Sequence, residues 1–227
     1  MRLAAFENCM LVLTHYGISL PGGRTIDIGG TSTVYLRGED GVQVLPNPLV
    51  AACPGLELLD KGFNTAAIGS EQDQQVDFLD AKIVDAQRNN FDRVFCFDTL
   101  EHVSNPFVFA DHLIRIVKPG GFLYVSTIFN YVYHPSPDDF WRFTPEGLKQ
   151  CFIDPSNTSR DQVQILWQGW ETDGLGVALL AYKSGTETKN FPSPPVLPKF
   201  EKKKKTLGGR IQKKIKHWKA KLAGKKK

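Results

Sequence analysis

Short apolar runs that end at an aspartate or a glycine turn recur along the chain, and this pattern restricts the fold more than any other feature. Each run has the length of a strand, and segments that suit helices separate the runs. Strands that alternate with helices predict an α/β domain whose mostly parallel sheet is covered on both faces. The predicted strands are 24–30, 56–60, 75–80, 91–98, 122–127, 163–167 and 176–182, the last two as a closing pair.

Two segments outside these strands favour helices. Residues 6–16 are mostly apolar and end near Gly17, and residues 107–117 place apolar side chains on one helical face. The second helix is expected to stop at 118–121, Lys-Pro-Gly-Gly, because proline cannot continue a helix and glycine favours its end.

Aspartates lie within or just past the ends of four predicted strands. Because the carboxyl ends of parallel strands meet at one edge of a sheet, where α/β folds bind ligands, these side chains are expected to line one cleft. Asp60 is the candidate for a ribose diol, and Asp80 is the candidate for an adenine amino group. The predicted cofactor-binding acids are Asp27, Asp60, Asp80 and Asp98.

A glycine turn, Gly29-Gly30, follows the first predicted strand directly. Glycine lets the backbone approach a ligand closely, and the amides at the start of the helix expected next can meet a polar or anionic group. Gly29 and Gly30 are therefore predicted to contact the cofactor, although a strand followed by two glycines is also common as a plain turn.

Three further motifs make the expected chemistry more specific. They are FDRVFCFDTLEHV at 91–103, KPGG at 118–121 and HPSPDDFWRFTPEGL at 134–148. Together they resemble the class I S-adenosylmethionine-dependent methyltransferases, and in particular a bacterial branch often linked to glycan or polysaccharide biosynthesis. The resemblance, which covers about residues 25–182, implies a Rossmann-like, doubly wound, seven-stranded sheet. It also implies S-adenosyl-L-methionine as the methyl donor and S-adenosylhomocysteine as the product.

The first loop departs from the pattern of that family. Thr31 and Thr33 stand where its second and third glycines are usual, and Asp60 comes 33 residues after Asp27, whereas about 20 residues separate the equivalent groups in dinucleotide folds. An insertion around 36–54 would explain the longer gap. These departures leave one alternative open, a degenerate domain without catalysis that serves as an adaptor.

Methyl transfer is a displacement at an already activated sulfonium methyl group, so the protein mainly positions the acceptor. An oxygen acceptor of high pKa also needs a general base, and His134 and His102 are the candidates because histidine titrates near neutrality. Asp138 and Asp139 are expected to orient the base or to bind acceptor hydroxyls. The predicted reaction is the O-methylation of a sugar, a glycan or another small polar acceptor.

Trp141 and Arg142 complete the predicted acceptor site together with Asp139. A tryptophan offers a flat face on which a sugar ring can stack, and a guanidinium can bind a carboxylate or a phosphate. The alternative is a structural lid, in which the aromatic ring packs in the core and the arginine forms a salt bridge.

A metal site is the less favoured possibility for the same residues. Asp98, Glu101, His102 and His134 resemble the ligand set of the metal-dependent small-RNA 2′-O-methyltransferases, which implies Mg²⁺ or Mn²⁺. Asp98 stands where those enzymes have glutamate, and many relatives carry Leu-Glu-His with no metal role. The sequence therefore favours a site without metal.

Positive charge is concentrated at the C-terminal end of the chain, and the rest of the chain is acidic. Residues 201–227 contain 12 Lys, one Arg and one Glu, a net charge of +12, which leaves −8 for the rest of the total of +4. This division predicts a methyltransferase domain over 1–183, a proline-rich linker over 184–200 and a basic tail over 201–227.

The basic tail places apolar residues on one face of a helix, at Leu207, Ile211, Ile215, Trp218 and Leu222. A basic amphipathic helix of this kind favours an anionic membrane surface as its partner. Nucleic acid is the less favoured partner, and it would make the protein an RNA methyltransferase guided by its tail. A solvated tail with no partner is the third possibility.

Several classes of protein are disfavoured by what the sequence lacks. No apolar run approaches the roughly 20 residues of a membrane-spanning helix, and no long apolar core of a signal peptide follows the first residues. The four cysteines are widely spaced, which favours reduced, buried thiols over a zinc site or disulfides. The expected location is the cytoplasm, extended to the inner face of the membrane if the tail binds there.

Overall fold

The computed structural model of the chain describes residues 1–38, 41–59, 78–135, 138–186 and 189–197. Its helices are α1 (Leu3–His15), α2 (Pro48–Ala52), α3 (Ala81–Ala86), α4 (Pro106–Ile116) and α5 (Pro145–Ile153). Its strands are β1 (Thr25–Ile28), β2 (Thr33–Gly38), β3 (Gly41–Pro46), β4 (Glu57–Leu59), β5 (Phe91–Phe97), β6 (Val117–Ile128), β7 (Val163–Trp170) and β8 (Gly176–Lys183).

Six of the strands form one sheet in the order β4-β1-β5-β6-β8-β7. The pairs from β4 to β6 are parallel, and β8 is antiparallel to both β6 and β7. The α/β prediction and the closing pair are thus confirmed. The resemblance implies seven strands; the candidate 75–80 falls partly outside the described residues, and its described part, 78–80, leads into α3 as a turn.

Helices cover both faces of this sheet, as expected of a doubly wound fold. Side chains alternate between the two faces along a strand, so β5 sends Val94 and Cys96 to one core cluster and Phe95 and Phe97 to the other. Residues of α4 and α5 complete the first cluster, and residues of α1 and α2 complete the second. Because both faces of β8 are covered, all of its residues are buried.

The Lys-Pro-Gly-Gly segment ends α4 as predicted, but it lies inside β6 rather than in a separate turn. Phe91 pairs with Val117 and Arg93 pairs with Phe122, so residues 118–121 bulge out between the two pairs. Gly120 adopts φ +86° in this bulge, a conformation that favours glycine.

The segment after β1 corrects one expectation. A helix was expected directly after the glycine turn, but within the described residues the chain forms the antiparallel pair of β2 and β3, and α2 begins only at Pro48. The β-branched and aromatic residues of β2 favour a strand, which explains the difference. This pair and α2 lie in the region where the insertion was expected, around 36–54, and the insertion itself stays a prediction.

The described part of the proposed linker packs on the domain. The ring of Phe191 lies 4.9 Å from that of Tyr182, and His15 Nε2 lies 2.8 Å from the carbonyl oxygen of Ser193. The boundary at residue 183 stays a prediction, and the tail 201–227 lies outside the described residues. No helix in the described part is long and apolar enough to cross a membrane.

All four cysteines are free and buried, as expected of reduced core thiols. They are Cys9 and Cys53, which pack in the cluster with α1 and α2, and Cys96 and Cys151, which pack in the cluster with α4 and α5.

Candidate active site

The carboxyl ends of β1 and β5 meet at the predicted glycine turn. Gly29 has φ +79°, and a Cβ atom there would overlap the side chain of Thr99, which follows β5. A Cβ atom at Gly30 would overlap the carboxylate of Asp27, which is completely buried in β1. Glycine is therefore required at both positions by close packing, and the turn lies where α/β folds bind nucleotides.

The predicted cofactor acids differ in where they lie. Asp27 is directly beneath the turn, and Asp98 is joined to it through Thr99. Asp80 is the N-cap of α3, where its carboxylate accepts a hydrogen bond of 2.8 Å from the amide of Lys82. Asp60 lies outside the described residues, so its contact with a ribose stays a prediction, as does that of Asp80 with adenine.

Asp98 has an arginine partner that the sequence did not reveal. The backbone amide, Nε and Nη2 of Arg2 donate to its carboxylate at 2.8, 3.2 and 2.9 Å. Burial opposes the ionisation of Asp98, but the charge and hydrogen bonds of Arg2 outweigh it, so the pKa of Asp98 lies below its usual value. Because 96 residues separate the two, no local pattern indicates the pair.

Glu101 lies at the centre of a second polar group. Its side chain is completely buried, and Oε2 accepts a hydrogen bond of 2.7 Å from Thr127 Oγ1. Oε1 has no hydrogen-bond partner within the described residues. It lies 3.9 Å from Nε2 of His102 and 3.9 Å from Nε2 of His134. Two imidazoles therefore converge on one buried carboxylate oxygen.

The contacts of the other ring nitrogens fix how these imidazoles can act. His102 Nδ1 lies 2.5 Å from the carbonyl oxygen of Asp138, and His134 Nδ1 lies 3.2 Å from the carbonyl oxygen of Val132 and 3.1 Å from a carboxylate oxygen of Asp139. All three oxygens are acceptors, so each ring in its neutral form carries its proton on Nδ1 and presents the lone pair of Nε2. The two Nε2 lone pairs then face Glu101.

The environment of Glu101 favours its protonated form. Burial, and secondarily the negative charge of Asp98, raises the pKa of Glu101 from its usual 4.5 to about 8. A carboxyl group that exchanges its proton near neutral pH beside two imidazoles can hold or move a proton at the Nε2 atoms.

The same donors could hold a divalent cation. The ligand atoms of Glu101, His102 and His134 all lie within 4.8 Å of one another. Two imidazoles and a carboxylate suit divalent transition metals, and Oε1, which lacks a hydrogen-bond partner among the residues that the structure describes, fits a cation. Asp98, the fourth member of the predicted set, is outside this group because Arg2 holds its carboxylate.

The predicted acceptor residues lie on the segment 129–144 between β6 and α5. Arg142 binds the buried carboxylate of Asp139 at 2.5 and 2.7 Å, and the His134 amide donates to it at 2.8 Å. The hydrogen bond from Arg142 is the main reason that the pKa of Asp139 lies well below its usual value. Asp139 and Arg142 thus bind each other, as in the structural alternative, and their contacts with an acceptor stay predictions.

Asp138 and Trp141 have different surroundings from that pair. Asp138 is exposed and supports His102 through its backbone carbonyl. The Trp141 indole donates to the carbonyl oxygen of Val103 at 2.8 Å, which anchors the ring while 38% of the residue stays exposed. Trp141 therefore combines a fixed orientation with a free surface.

Exposed aromatic residues near these groups form what we call the aromatic rim. Phe129 and Trp170 pack edge to face at 4.9 Å, and the amide of Phe140 donates to the carbonyl oxygen of Glu101 at 2.7 Å. The sequence indicated Trp141 for this surface but not the pairing of Phe129 with Trp170, because Trp170 belongs to β7 and is far in sequence from Phe129. The rim consists of Phe129, Tyr133, Phe140, Trp141 and Trp170.

Comparisons with known proteins identify the family to which the chain belongs. A family model described as a methyltransferase domain matches residues 7–170, well over half of the chain. The ubiquinone biosynthesis O-methyltransferase of Dechloromonas aromatica (strain RCB) is 31% identical over 115 residues, which cover 49% of this chain and 47% of that protein. The protein of the same name from Xylella fastidiosa (strain M23) is 32% identical over 117 residues, 49% and 44% of the two chains.

The chain spans about half the length of these curated relatives. Among solved structures, a chain of the Haloferax volcanii complex between the Trm112 methyltransferase activator and a methyltransferase superposes with a TM-score of 0.54. The two are 14% identical, and the match covers 82% of this chain and 92% of that one, which supports the fold alone. By its matching domain and its fold, the chain belongs to the methyltransferase-domain family of class I S-adenosylmethionine-dependent methyltransferases.

Proposed function

We propose that this chain methylates a hydroxyl oxygen, with the His102–His134 pair as the general base. The observation that carries the proposal is the convergence of both Nε2 atoms on Glu101, next to the glycine turn at the carboxyl ends of β1 and β5. The names of the curated relatives, which are O-methyltransferases, support oxygen as the accepting atom.

The residues of the site have separate roles in this reaction. S-adenosylmethionine supplies, when bound, a methyl group on a positively charged sulfur. The acceptor hydroxyl gives its proton to Nε2 of one imidazole while its oxygen forms the new C–O bond and the S–C bond breaks. The Nδ1 contacts hold both rings in the tautomer that accepts at Nε2, and Glu101 can exchange that proton near neutral pH.

For the acceptor we propose a sugar or glycan hydroxyl. The exposed face of Trp141 and the aromatic rim suit the stacking of a ring, and the motif resemblance supports a sugar. The rival is a ring compound of quinone biosynthesis, which the names of the relatives favour. RNA is a third candidate because of the basic tail.

An acceptor panel separates these candidates. Formation of S-adenosylhomocysteine is measured with nucleotide-linked sugars, lipid-linked sugars, hydroxylated aromatic compounds with a prenyl chain, and short RNA. We expect turnover with a sugar acceptor. Turnover with only the aromatic compounds would retain O-methylation and replace the acceptor, whereas turnover with only RNA would favour the tail-guided alternative.

A cation at Glu101, His102 and His134 is a second candidate mechanism. It is favoured by Oε1 of Glu101, which no donor among the described residues contacts. It would polarise the acceptor hydroxyl and lower its pKa. Titration calorimetry with Mg²⁺, Mn²⁺ and Zn²⁺ tests it, with Glu101→Gln as the comparison. Binding that the substitution removes would support the cation, and no binding by the unmodified chain would leave the imidazoles as the base.

We further propose an anionic membrane surface as the partner of the basic tail. The charge of residues 201–227 and the spacing of their apolar residues support it. Sedimentation with vesicles that contain phosphatidylglycerol should carry the full chain down, and vesicles of phosphatidylcholine alone should not. Salt-sensitive binding to RNA without binding to either vesicle would point to nucleic acid instead.

A further inference from the structure

Arg2 joins three carboxylates from two separate parts of the chain. Its guanidinium lies 2.9 Å from Asp98, 2.5 Å from Glu171 and 2.9 Å from Asp173. Asp98 follows β5, whereas Glu171 and Asp173 lie in the turn between β7 and β8. Arg2 itself is the N-cap of α1. We call these four residues the Arg2 cluster.

The surroundings of the Arg2 cluster are fitted to the guanidinium. Glu171 is 1% exposed, and a buried carboxylate without a cation is strongly unfavourable. A Cβ atom at Gly176 would overlap both Arg2 Nη2 and Glu171 Oε2, so the position must be glycine for the pair to form. Asp98 adopts φ +46°, which few residues other than glycine do, and three hydrogen bonds from Arg2 hold it there.

One end of the Arg2 cluster reaches the cofactor turn. Asp98 is followed by Thr99, whose hydroxyl lies 3.4 Å from the carbonyl oxygen of Ile28 and whose side chain fills the space against Gly29. A shift of Asp98 would therefore move Thr99 and change the shape of the turn that approaches the cofactor.

The other end reaches the acceptor side. Trp170 immediately precedes Glu171, and its ring packs on Phe129 at 4.9 Å. Phe129 begins the segment that carries His134. The guanidinium of Arg2 is thus connected to the glycine turn through Asp98 and to the acceptor segment through Glu171.

We propose that Arg2 is a positioning residue for methyl transfer. It holds the glycine turn in place through Asp98, and it holds Trp170, on the acceptor side of the site, in place through Glu171. The acceptor half of the inference rests on the proposed function. The cofactor half does not, because binding of S-adenosylhomocysteine requires no acceptor.

Calorimetric titration of the full chain with S-adenosylhomocysteine tests the cofactor half, with thermal unfolding measured on the same samples. The variants are Arg2→Gln, Arg2→Lys and the double variant Arg2→Gln/Glu171→Gln. Arg24→Gln is the matched control, because Arg24 also binds a carboxylate with two nitrogens, on Glu57, but does so at the opposite edge of the sheet.

We expect Arg2→Gln to weaken binding by about tenfold or more, because it leaves buried carboxylates without their cation. Arg2→Lys should recover part of the affinity, since one ammonium cannot reach all three carboxylates in the same geometry. Burial raises the pKa of Glu171 to about 8, so the samples are compared at pH 9. There the double variant removes one buried charge, and its Tm should rise back toward that of the unmodified chain while its affinity stays low. Arg24→Gln should leave affinity unchanged.

Recovery of affinity together with Tm in the double variant would overturn the proposal, because Arg2 would then act on stability alone. Unchanged affinity in Arg2→Gln would overturn it as well. If Arg2→Gln does not fold, the Arg2→Lys and double variants decide. Failure of the proposed function has a different signature: S-adenosylhomocysteine binds to the unmodified chain, and no hydroxyl acceptor is methylated.

Discussion

The Oε1 oxygen of Glu101, which has no hydrogen-bond partner in the described part of the chain, lies 3.9 Å from Nε2 of His134, in a carboxyl group that solvent does not reach. The protonation state of Glu101 therefore affects the polar residues around it. A raised pKa means that the folded protein holds this proton more tightly than the unfolded chain does.

Glu101 should therefore make stability depend on pH. Its contribution is fully present below its usual pKa of 4.5 and is lost as the pH rises through about 8. In Glu101→Gln, which is neutral at every pH, the fall of Tm between pH 5 and pH 9 should be smaller than in the unmodified chain. Parallel Tm curves for the two proteins over this range would contradict a raised pKa at Glu101.

The two imidazoles should share the role of general base. Each single variant, His102→Gln or His134→Gln, leaves one Nε2 in place and should lower kcat about tenfold, whereas the double variant should lose about 10²–10⁴-fold. The affinity for S-adenosylhomocysteine should change little, because neither ring contacts the glycine turn in the described structure. His15→Gln, at the far end of α1, is the control. A double variant with full kcat would exclude both residues as the base.

Gly29 should be required for cofactor binding. Gly29→Ala combines a strained positive φ with overlap against Thr99, whereas Gly17→Ala has a positive φ but open space around it. Both variants should lose about 1 kcal/mol or more of unfolding free energy from the backbone strain. Only Gly29→Ala should also weaken S-adenosylhomocysteine binding in a titration. Equal affinity in the two variants would show that the turn does not contact the cofactor.

Lys183 should stabilise the fold without affecting the site. Its buried amine donates to the carbonyl oxygens of Ile114 and Val117 at 2.9 Å each. These hydrogen bonds pair the carbonyl groups at the end of α4, beside the bulge in β6. Lys183→Met should cost about 1–3 kcal/mol of unfolding free energy, measured by denaturant titration, because it leaves these carbonyls unpaired. S-adenosylhomocysteine affinity should be unchanged; a large loss would connect Lys183 to the site.

The parts of the fold that the sequence predicts are those with a local signal. β5 was predicted from its run of apolar and aromatic residues, and the end of α4 from Pro119. The closing pair of β7 and β8 followed from two adjacent apolar segments. In each case the interactions that decide the structure lie within a few residues of one another, so the pattern in the sequence carries them.

The parts that the sequence did not predict depend on contacts between distant segments. Arg2 meets Asp98 across 96 residues, and Trp170 meets Phe129 from another strand. A helix was expected after Gly30 although Thr31 and Thr33 depart from the glycines of the family, and the β-forming residues of 33–38 favour the strand that is found. His102 and His134 were predicted as a set from motifs, whereas their shared orientation toward Glu101 depends on backbone contacts that no motif states.

One measurement tests methyl transfer by this site most directly. The unmodified chain and the His102→Gln/His134→Gln double variant are each mixed with S-adenosylmethionine that carries a labelled methyl group and with the acceptor found in the panel. We predict that both proteins bind the cofactor with similar affinity, and that only the unmodified chain transfers the label to an oxygen at a substantial rate. Equal rates of labelling in the two proteins, or a label that ends on nitrogen or carbon, would contradict the proposed function.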